Sequence, residues 1–386
     1  MPTSLTIEDF LTATGPMLDV RSPGEYDHGH IPGAIRFPLF SNEERAQVGT
    51  CYKEQGRDAA VELGFDLAGP KCGHFVRSAK ALAPDRQVRV HCWRGGMRSG
   101  GMGWILEMAG FNVKVLEGGY KAYRRWVKGV LAKPKPLIVL GGMTGTSKTQ
   151  ILHELAALGE PILDLEALAN HRGSSFGALM LPPQPSTEHY ENLIAEHCVQ
   201  LGTKRSIWVE AESRRVGTCR IPDELFLQME AAPTLEAQRS LDERLDLLVE
   251  IYGEADTEQL IAATKRIRKR LGGQRTQAAV AAIEQGDLRT ACKIILDYYD
   301  RTYRYDLERR NKKIPQIDLV GLSPKESARK LVAVAPELLP LPFEAGGALP
   351  SPGHRESHAP LTEQEKQPVE RLASKLRELG MSPDDL

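Results

Sequence analysis

Two residues of this sequence are placed to do chemistry, Cys92 and Lys148, each on a glycine-rich loop that follows an apolar strand pattern. Gln87–His91 leads into the first loop, Cys92-Trp93-Arg94-Gly95-Gly96-Met97-Arg98-Ser99, and a helical pattern through Trp104, Ile105 and Met108 follows it. A thiol at a strand-to-helix turn feels the loop N–H groups and the positive end of the helix. Arg94 and Arg98 add positive charge, and all three influences favour thiolate, the nucleophilic form. Gly95 and Gly96 allow the backbone to curl so that its N–H groups face the sulfur. Such a nest also suits a persulfide or perselenide anion, or an anionic donor. A free cysteine is most often buried and inert, but the arginines and glycines argue for a reactive Cys92.

The second loop, Gly141-Gly142-Met143-Thr144-Gly145-Thr146-Ser147-Lys148-Thr149, follows the buried-strand run Leu137–Leu140 and precedes a helix pattern, Gln150–Leu158. This is the context of a phosphate-binding loop. Backbone N–H groups from Gly142 to Thr149 would cradle phosphate oxygens, Lys148 would neutralise charge, and Thr149 would hold a metal or a phosphate oxygen. Ser147 stands where the nucleotide-hydrolase pattern has glycine, so phosphate binding is expected more firmly than nucleotide hydrolysis. Asp164 ends another apolar strand pattern and reads equally well as an acidic metal-side residue or as a helix N-cap. Glu210 and Glu212 end a third strand pattern and could face the same site.

The elements that carry these loops alternate strand and helix patterns, which predicts parallel α/β sheets. Candidate strands are 16–20, 87–91, 112–116, 137–140, 161–164 and 206–210. The division expected is a first domain at 4–130, a proline-containing linker at 131–136, and a phosphate-loop domain at 137–340. From about Leu235 to Leu307 the second domain reads as mostly helical. Residues 341–386 are expected to be a flexible tail with a short helix at Val369–Leu379. The 386 residues carry a formal net charge of −1, so nucleic-acid contact must come from local patches. Six scattered cysteines without C-x-x-C or His/Cys metal spacing predict reduced thiols and no metal site of that kind. No secretory signal or membrane span is expected, and the location expected is cytoplasmic.

Residues Asp19–Ile35, with the Cys92 loop and Gly118-Gly119 ahead of a helix containing Trp126, resemble rhodanese-like domains. In that resemblance Asp19, Arg21, Glu25 and the His30–Gly33 turn match structural positions. Joined to a phosphate loop, the chain resembles the tRNA 2-selenouridine synthase family to about residue 335. The stretches that carry this are 48–60, 164–177, 209–217 and 269–275. The resemblance implies an α/β fold, a rhodanese-like parallel-sheet domain followed by a P-loop domain with a helical extension. It implies a selenotransferase with geranyltransferase activity, acting on wobble 2-thiouridine of the Lys, Glu and Gln tRNAs. It also implies geranyl diphosphate and selenophosphate as substrates, with no permanently bound cofactor, Mg²⁺ as an optional partner, and a selenophosphate-supplying enzyme as a further one. In that scheme Gly142, Thr144, Gly145, Thr146, Ser147, Lys148 and Thr149 bind diphosphate. Cys92 is catalytic, and Arg94, Gly95, Gly96 and Arg98 take the anionic selenium donor.

Asp164, His171, Arg172, Ser174, Ser175 and Glu210 form a candidate substrate loop and its neighbour, expected beside the phosphate loop. Lys265, Arg266, Arg268, Lys269, Arg270 and Arg275 make a dense basic stretch that fits tRNA phosphates, though a solvated helix face reads similarly. Arg301, Arg304, Arg309, Arg310, Lys312 and Lys313 make a second. Tyr299 and Tyr303 share a helical face and are expected in the core, whereas Tyr298 or Tyr305 could stack on a base. A plain sulfurtransferase, a P-loop ATPase with a rhodanese sensor, and an RNA-binding adaptor are the competing functional classes.

Overall fold

The computed structural model describes residues 2–338 apart from Gly95, Thr203 and residues 311–313, and gives residues 304–310 as backbone only. The side chains of Arg304, Tyr305, Arg309 and Arg310, together with Lys312, Lys313 and the expected tail helix, lie outside the described residues. The chain divides into residues 1–342 and 343–386, and everything below belongs to the first unit.

The first sheet takes β1 (Thr3–Leu5), β2 (Met17–Asp19), β3 (Ile35–Arg36), β4 (Gln87–His91) and β5 (Asn112–Leu116) in the order β1-β5-β4-β2-β3. All its pairs are parallel. Val88, Val90, Val113 and Val115 are buried here and alternate with half-buried Arg89 and Lys114. The second sheet takes β6 (Leu137–Gly142), β7 (Ile162–Leu163), β8 (Ile207–Glu210), β11 (Thr234–Gln238) and β12 (Gln316–Asp318), with a small antiparallel pair, β9 (Arg215–Val216) and β10 (Cys219–Arg220), between β8 and β11 in the chain. Its order is β12-β11-β6-β8-β7, again all parallel.

The region after Leu235 departs from its expected helical reading at its start. Thr234-Leu-Glu-Ala-Gln238 is rich in helix formers, yet it forms β11 between β6 and β12. Leu235 and Ala237 are fully or almost fully buried there, and the packing overrides local propensity. Beyond it the helices Leu241–Tyr252, Thr257–Arg266, Arg268–Leu271, Gly273–Glu284 and Leu288–Arg310 follow as read.

One apolar core runs between the two sheets. Phe10, Tyr120, Val127 and Leu131 from the first half pack in the same cluster as Leu137, Tyr190, Ile194 and Val209 from the second. Helix Gly119–Ala132 reaches the start of the expected linker, and Lys135 Nζ donates to the carbonyls of Val130, Leu131 and Lys133. The His28–Ile31 turn receives helix Thr187–Leu201. Asn192 donates to the His30 carbonyl (2.8 Å), Ser186 Oγ to the His28 carbonyl, and the His30 and His189 rings lie 4.0 Å apart. Arg124 binds Glu191 and Asn192 across the same seam.

Candidate active sites

Cys92 leaves β4 and is buried, with 3% of its surface exposed. Helix Met97–Met108 starts after Gly96, whose φ of 76° is left-handed. Ser99 Oγ lies 3.3 Å from Cys92 Sγ. Gly118 and Gly119 begin the next helix against this loop, at φ of 69° and 58°. A Cβ on Gly119 would come within 2.5 Å of the Cys92 carbonyl oxygen, so only glycine fits where the two loops meet. Tyr120 N–H and Lys121 N–H then donate to the carbonyls of Cys92 and Trp93 (2.8 and 2.9 Å).

Arg94 is exposed, while Arg98 is taken by Glu25 in a two-pronged pair (2.7 and 3.1 Å). Burial opposes the Glu25 charge, but Arg98, a backbone N–H and Arg45 outweigh it and hold the carboxyl down at about 2. Arg98 is therefore a fixed cation whose charge is offset by Glu25. Gly95 lies outside the described residues. A cleft of about 550 Å³ opens here, lined by Ser22, Glu25, Asn42, Arg45, Trp93 and Arg98. Arg45 is a cation the local sequence did not reveal, since it comes from helix Asn42–Glu54 more than 40 positions away. Beneath the loop, Asp19 and Arg21 form a buried pair (2.6 Å), with the Arg21 guanidinium 3.8 Å from the centre of the Tyr120 ring. These motif residues support the loop without facing the cleft.

The phosphate loop turns from β6 into helix Lys148–Ala157. Lys148 Nζ folds over the loop and donates to the Gly142 carbonyl (2.9 Å). Thr146 is buried, and its hydroxyl donates to the Met143 carbonyl (2.8 Å), so its side chain braces the loop. Gly142 N–H donates to Tyr303 Oη (2.9 Å). Arg244 was not singled out by sequence. Its Nε donates to the Thr144 carbonyl (2.8 Å), and its guanidinium pairs with Asp300 of the long helix. The loop is thus tied to the helical extension by a buried charge pair that only the tertiary fold assembles.

Ser147 sits at φ 64°, the left-handed geometry that glycine takes without strain. Ser147→Gly is expected to keep the loop and raise the thermal midpoint by about 1–3 °C, because a left-handed non-glycine residue costs about 1 kcal/mol. A thermal melt checks this, and a lowered midpoint would mean the serine hydroxyl supports the loop.

Thr149 Oγ1 lies 3.1 Å from Glu166 Oε2 and 3.3 Å from Glu210 Oε2. Glu166, Glu210 and Glu212 each bring an oxygen within 4.8 Å of the others. Burial, then the neighbouring carboxylates, push Glu212 up to about 8 against the pull of Lys148, and raise Glu210 well above its ordinary range. Glu166 lies two residues past Asp164, a position sequence reasoning passed over. Asp164 itself resolves to its capping alternative. It accepts from Ala167 N–H at the start of helix Leu165–Leu168 and pairs with His153 (2.6 Å). Glu210 lies at the end of β8, the strand beside β6.

The 171–177 loop lies beside this cluster. Gly173 (φ 64°) approaches it so closely that a Cβ would stand 2.8 Å from Glu166 Oε1 and 3.1 Å from both Glu212 oxygens. His171 is packed inward, however, against Gly177 and Gly217. Burial, then Arg266, lowers its pKa, which fits a neutral core ring better than an exposed ligand. Arg172 donates to the Leu179 carbonyl, and Ser175 N–H donates to Tyr299 Oη (3.1 Å). Tyr299 and Tyr303 are the inward pair expected from their spacing, and they pin the substrate loop and the phosphate loop.

An apolar cavity lies between the helices of the extension. Phe176, Leu248, Leu260, Ile283, Ala291 and Ile295 are among its walls, with Thr144 of the phosphate loop and Ser174 of the 171–177 loop at its polar edge. Of the basic stretch, Arg266 donates to the Ser175 carbonyl and Arg275 pairs with Asp297. Lys265, Arg268, Lys269 and Arg270 are exposed and form no ion pair among the described residues. Arg301 pairs with Asp297.

Residues 7–125 match the model of the rhodanese-like domain, and residues 135–319 match that of the tRNA 2-selenouridine synthase AAA domain. The tRNA 2-selenouridine synthase of Pseudomonas syringae pv. syringae (strain B728a) is 35% identical over 344 residues, which span 78% of this chain and 90% of that protein. The chain belongs to the tRNA 2-selenouridine synthase family. The like-named proteins of Marinobacter nauticus (strain ATCC 700491 / DSM 11845 / VT8) and Shewanella sp. (strain MR-4) are 34% and 33% identical, over 78% of this chain and 90% and 87% of theirs. The architecture expected from sequence, a rhodanese-like sheet followed by a P-loop α/β domain, is the one found. Among the described residues no helix is long and apolar enough to cross a membrane.

Proposed function

We propose that this chain is a tRNA-modifying enzyme that converts 2-thiouridine to 2-selenouridine through an S-geranyl intermediate. The family supplies the overall reaction, and the apolar cavity beside the phosphate loop carries the choice of intermediate. Geranyl diphosphate is one molecule with a polyanionic head and a ten-carbon tail. The cradle's Thr144 edges an apolar cavity of about 50 Å³, a starting point for the tail that the surrounding helices must part to enlarge before all ten carbons fit. Burial of the tail would contribute about 0.8 kcal/mol per methylene, and the loop N–H groups with Lys148 would stabilise the departing diphosphate.

In the first step the 2-thiocarbonyl sulfur attacks C1 of geranyl diphosphate. The C1–O bond breaks with its electron pair on diphosphate, and N3 of the base loses its proton. In the second step selenium of selenophosphate bonds to C2, and the C2–S bond breaks with its electron pair on geranylthiolate. Water then cleaves the P–Se bond, phosphate leaves, and N3 regains a proton. Cys92, buried next to Trp93 of the cleft that Arg45 and Arg98 line, serves this second step by orienting the selenium donor, with exposed Arg94 nearby. Lys265, Arg268, Lys269 and Arg270 are the cations free to meet tRNA phosphates. A cytoplasmic location and the Lys, Glu and Gln tRNAs go with this reading.

The test is mass analysis of a thiouridine-containing anticodon stem–loop incubated with the protein, geranyl diphosphate and selenophosphate. The S-geranyl and seleno products are expected in that order. Ala291→Phe, which fills the cavity, is expected to slow S-geranylation about tenfold or more while a pre-geranylated stem–loop is still selenated. Tail burial of several methylenes is worth that much. Steady ATP turnover with the RNA unchanged would replace this reading with the ATPase one.

A further inference from the structure

Besides the cations of the helical extension, the first domain carries a basic face that the reaction just described does not use. It lies on helix Gly119–Ala132, which starts against the Cys92 loop. Tyr120, Tyr123, Val127, Val130 and Leu131 bury one side of this helix. Arg124 leaves from its flank and is taken by Glu191 and Asn192. Lys121, Arg125 and Lys128 recur at helical spacing on the exposed side, and their side chains form no ion pair among the described residues. No acid occurs from Gly118 to Lys135. A solvated helix face ordinarily mixes both signs. A face of one sign, on a chain of net charge −1, is a local positive field. From Lys121 to Lys128 the helix rises about 10 Å, the length of about three phosphates of a stacked strand.

This face runs into the reactive loop. Lys121 N–H donates to the Trp93 carbonyl (2.9 Å). A guanidinium nitrogen of Arg125 lies 3.6 Å from the point that a Cβ on Gly118 would occupy. Trp93 is 39% exposed although it adjoins buried Cys92. The Tyr120 ring and the Arg21 guanidinium pack near it, at 5.8 and 6.0 Å between centres, and it lines the cleft. A ring braced by buried neighbours yet open to a cleft is a stacking surface for an unpaired base. We infer that the face of Lys121, Arg125 and Lys128, with Trp93 at its loop end, is an RNA-binding surface that seats the nucleotide under modification beside Cys92. The three cations hold phosphates of the strand, and Trp93 stacks the base. The inference rests on the tRNA-modifying reading and deepens its second step. An acidic protein would meet the same cations, but an open indole beside the reacting thiol favours a nucleobase.

The test uses the full chain, selenophosphate and an anticodon stem–loop supplied already geranylated. The triple variant Lys121→Gln, Arg125→Gln, Lys128→Gln should raise KM for this RNA about 10–100-fold and leave kcat within about twofold. Fluorescence anisotropy of the labelled stem–loop across a salt series reads the contacts directly. The slope of log affinity against log salt should flatten by about 2–3 in the triple variant, since each lost phosphate contact removes about 0.7–0.9. Trp93→Ala should lower kcat/KM about 5–100-fold with the salt slope unchanged, and Trp93→Phe should restore most of it. S-geranylation by the triple variant should stay within about threefold of wild type, which also shows that it folds. An unchanged KM and salt slope in the triple variant would overturn the surface and leave those cations to solvent or to a protein partner. A fall in S-geranylation as large as that in selenation would overturn its assignment to the Cys92 step. A wild type that makes no selenouridine would instead sink the transferase reading, and the salt slopes would still decide whether this face binds RNA.

Discussion

Cys92→Ala is expected to leave S-geranylation of a thiouridine stem–loop near the wild-type rate and to drop selenouridine formation by about 10³-fold or more, so that S-geranyl RNA accumulates. The magnitude is that of losing the group that orients the selenium donor for its attack on C2, where misplacement by about 1 Å costs about 10²-fold and lost charge stabilisation adds to it. The split follows from the placement of the two loops on separate sheets. Cys92 leaves β4 of the first sheet, and Lys148 follows β6 of the second. The thiol is buried and packed against Ser99, and the arginine-lined cleft beside it belongs wholly to the first domain. The apolar cavity belongs wholly to the second. Mass analysis of the two products from one incubation reads both rates. Equal loss of both would refute the division of labour, because it would require the thiol in the alkylation step.

Lys148→Ala is expected to have the opposite signature. S-geranylation should fall by about 10²–10³-fold, the usual effect of losing one preorganised donor at a developing anion. Selenation of a stem–loop supplied already geranylated should continue. The lysine is held over the loop by the Gly142 carbonyl, so its charge is in place before the ligand arrives. Arg244 and Asp300 brace the same loop from beneath, which lets Lys148 be deleted without unfolding the turn. Undiminished S-geranyl product would remove diphosphate from the phosphate loop altogether.

Both expectations rest on residues that were legible in the sequence, because their chemistry is local. A cysteine, two arginines and a run of glycines lie within ten positions, and so do the glycines, Lys148 and Thr149. Short-range geometry demands those residue types, so the pattern alone exposes them. The fold class was legible for a similar reason, since β4 and β5 alternate buried and half-buried residues and β6 and β8 are apolar buried runs, patterns that show in the sequence. The strand at Thr234–Gln238 was not, because Leu, Glu, Ala and Gln favour helix and only burial between two parallel neighbours makes them extended.

What the sequence determined by itself is the pair of loops and the kind of group each can hold. The tertiary structure decided what surrounds them. It brings Arg45 to the Cys92 cleft and Arg244 with Asp300 under the phosphate loop, from positions far off in the chain. It turns His171 inward, makes Asp164 a helix cap, and gathers Glu166, Glu210 and Glu212 around Thr149. The physical reason is one of range. A loop's own backbone and neighbours act through a few bonds, whereas charge pairing, burial and cavity walls act through space. Their partners are set by how two parallel sheets pack on one shared core.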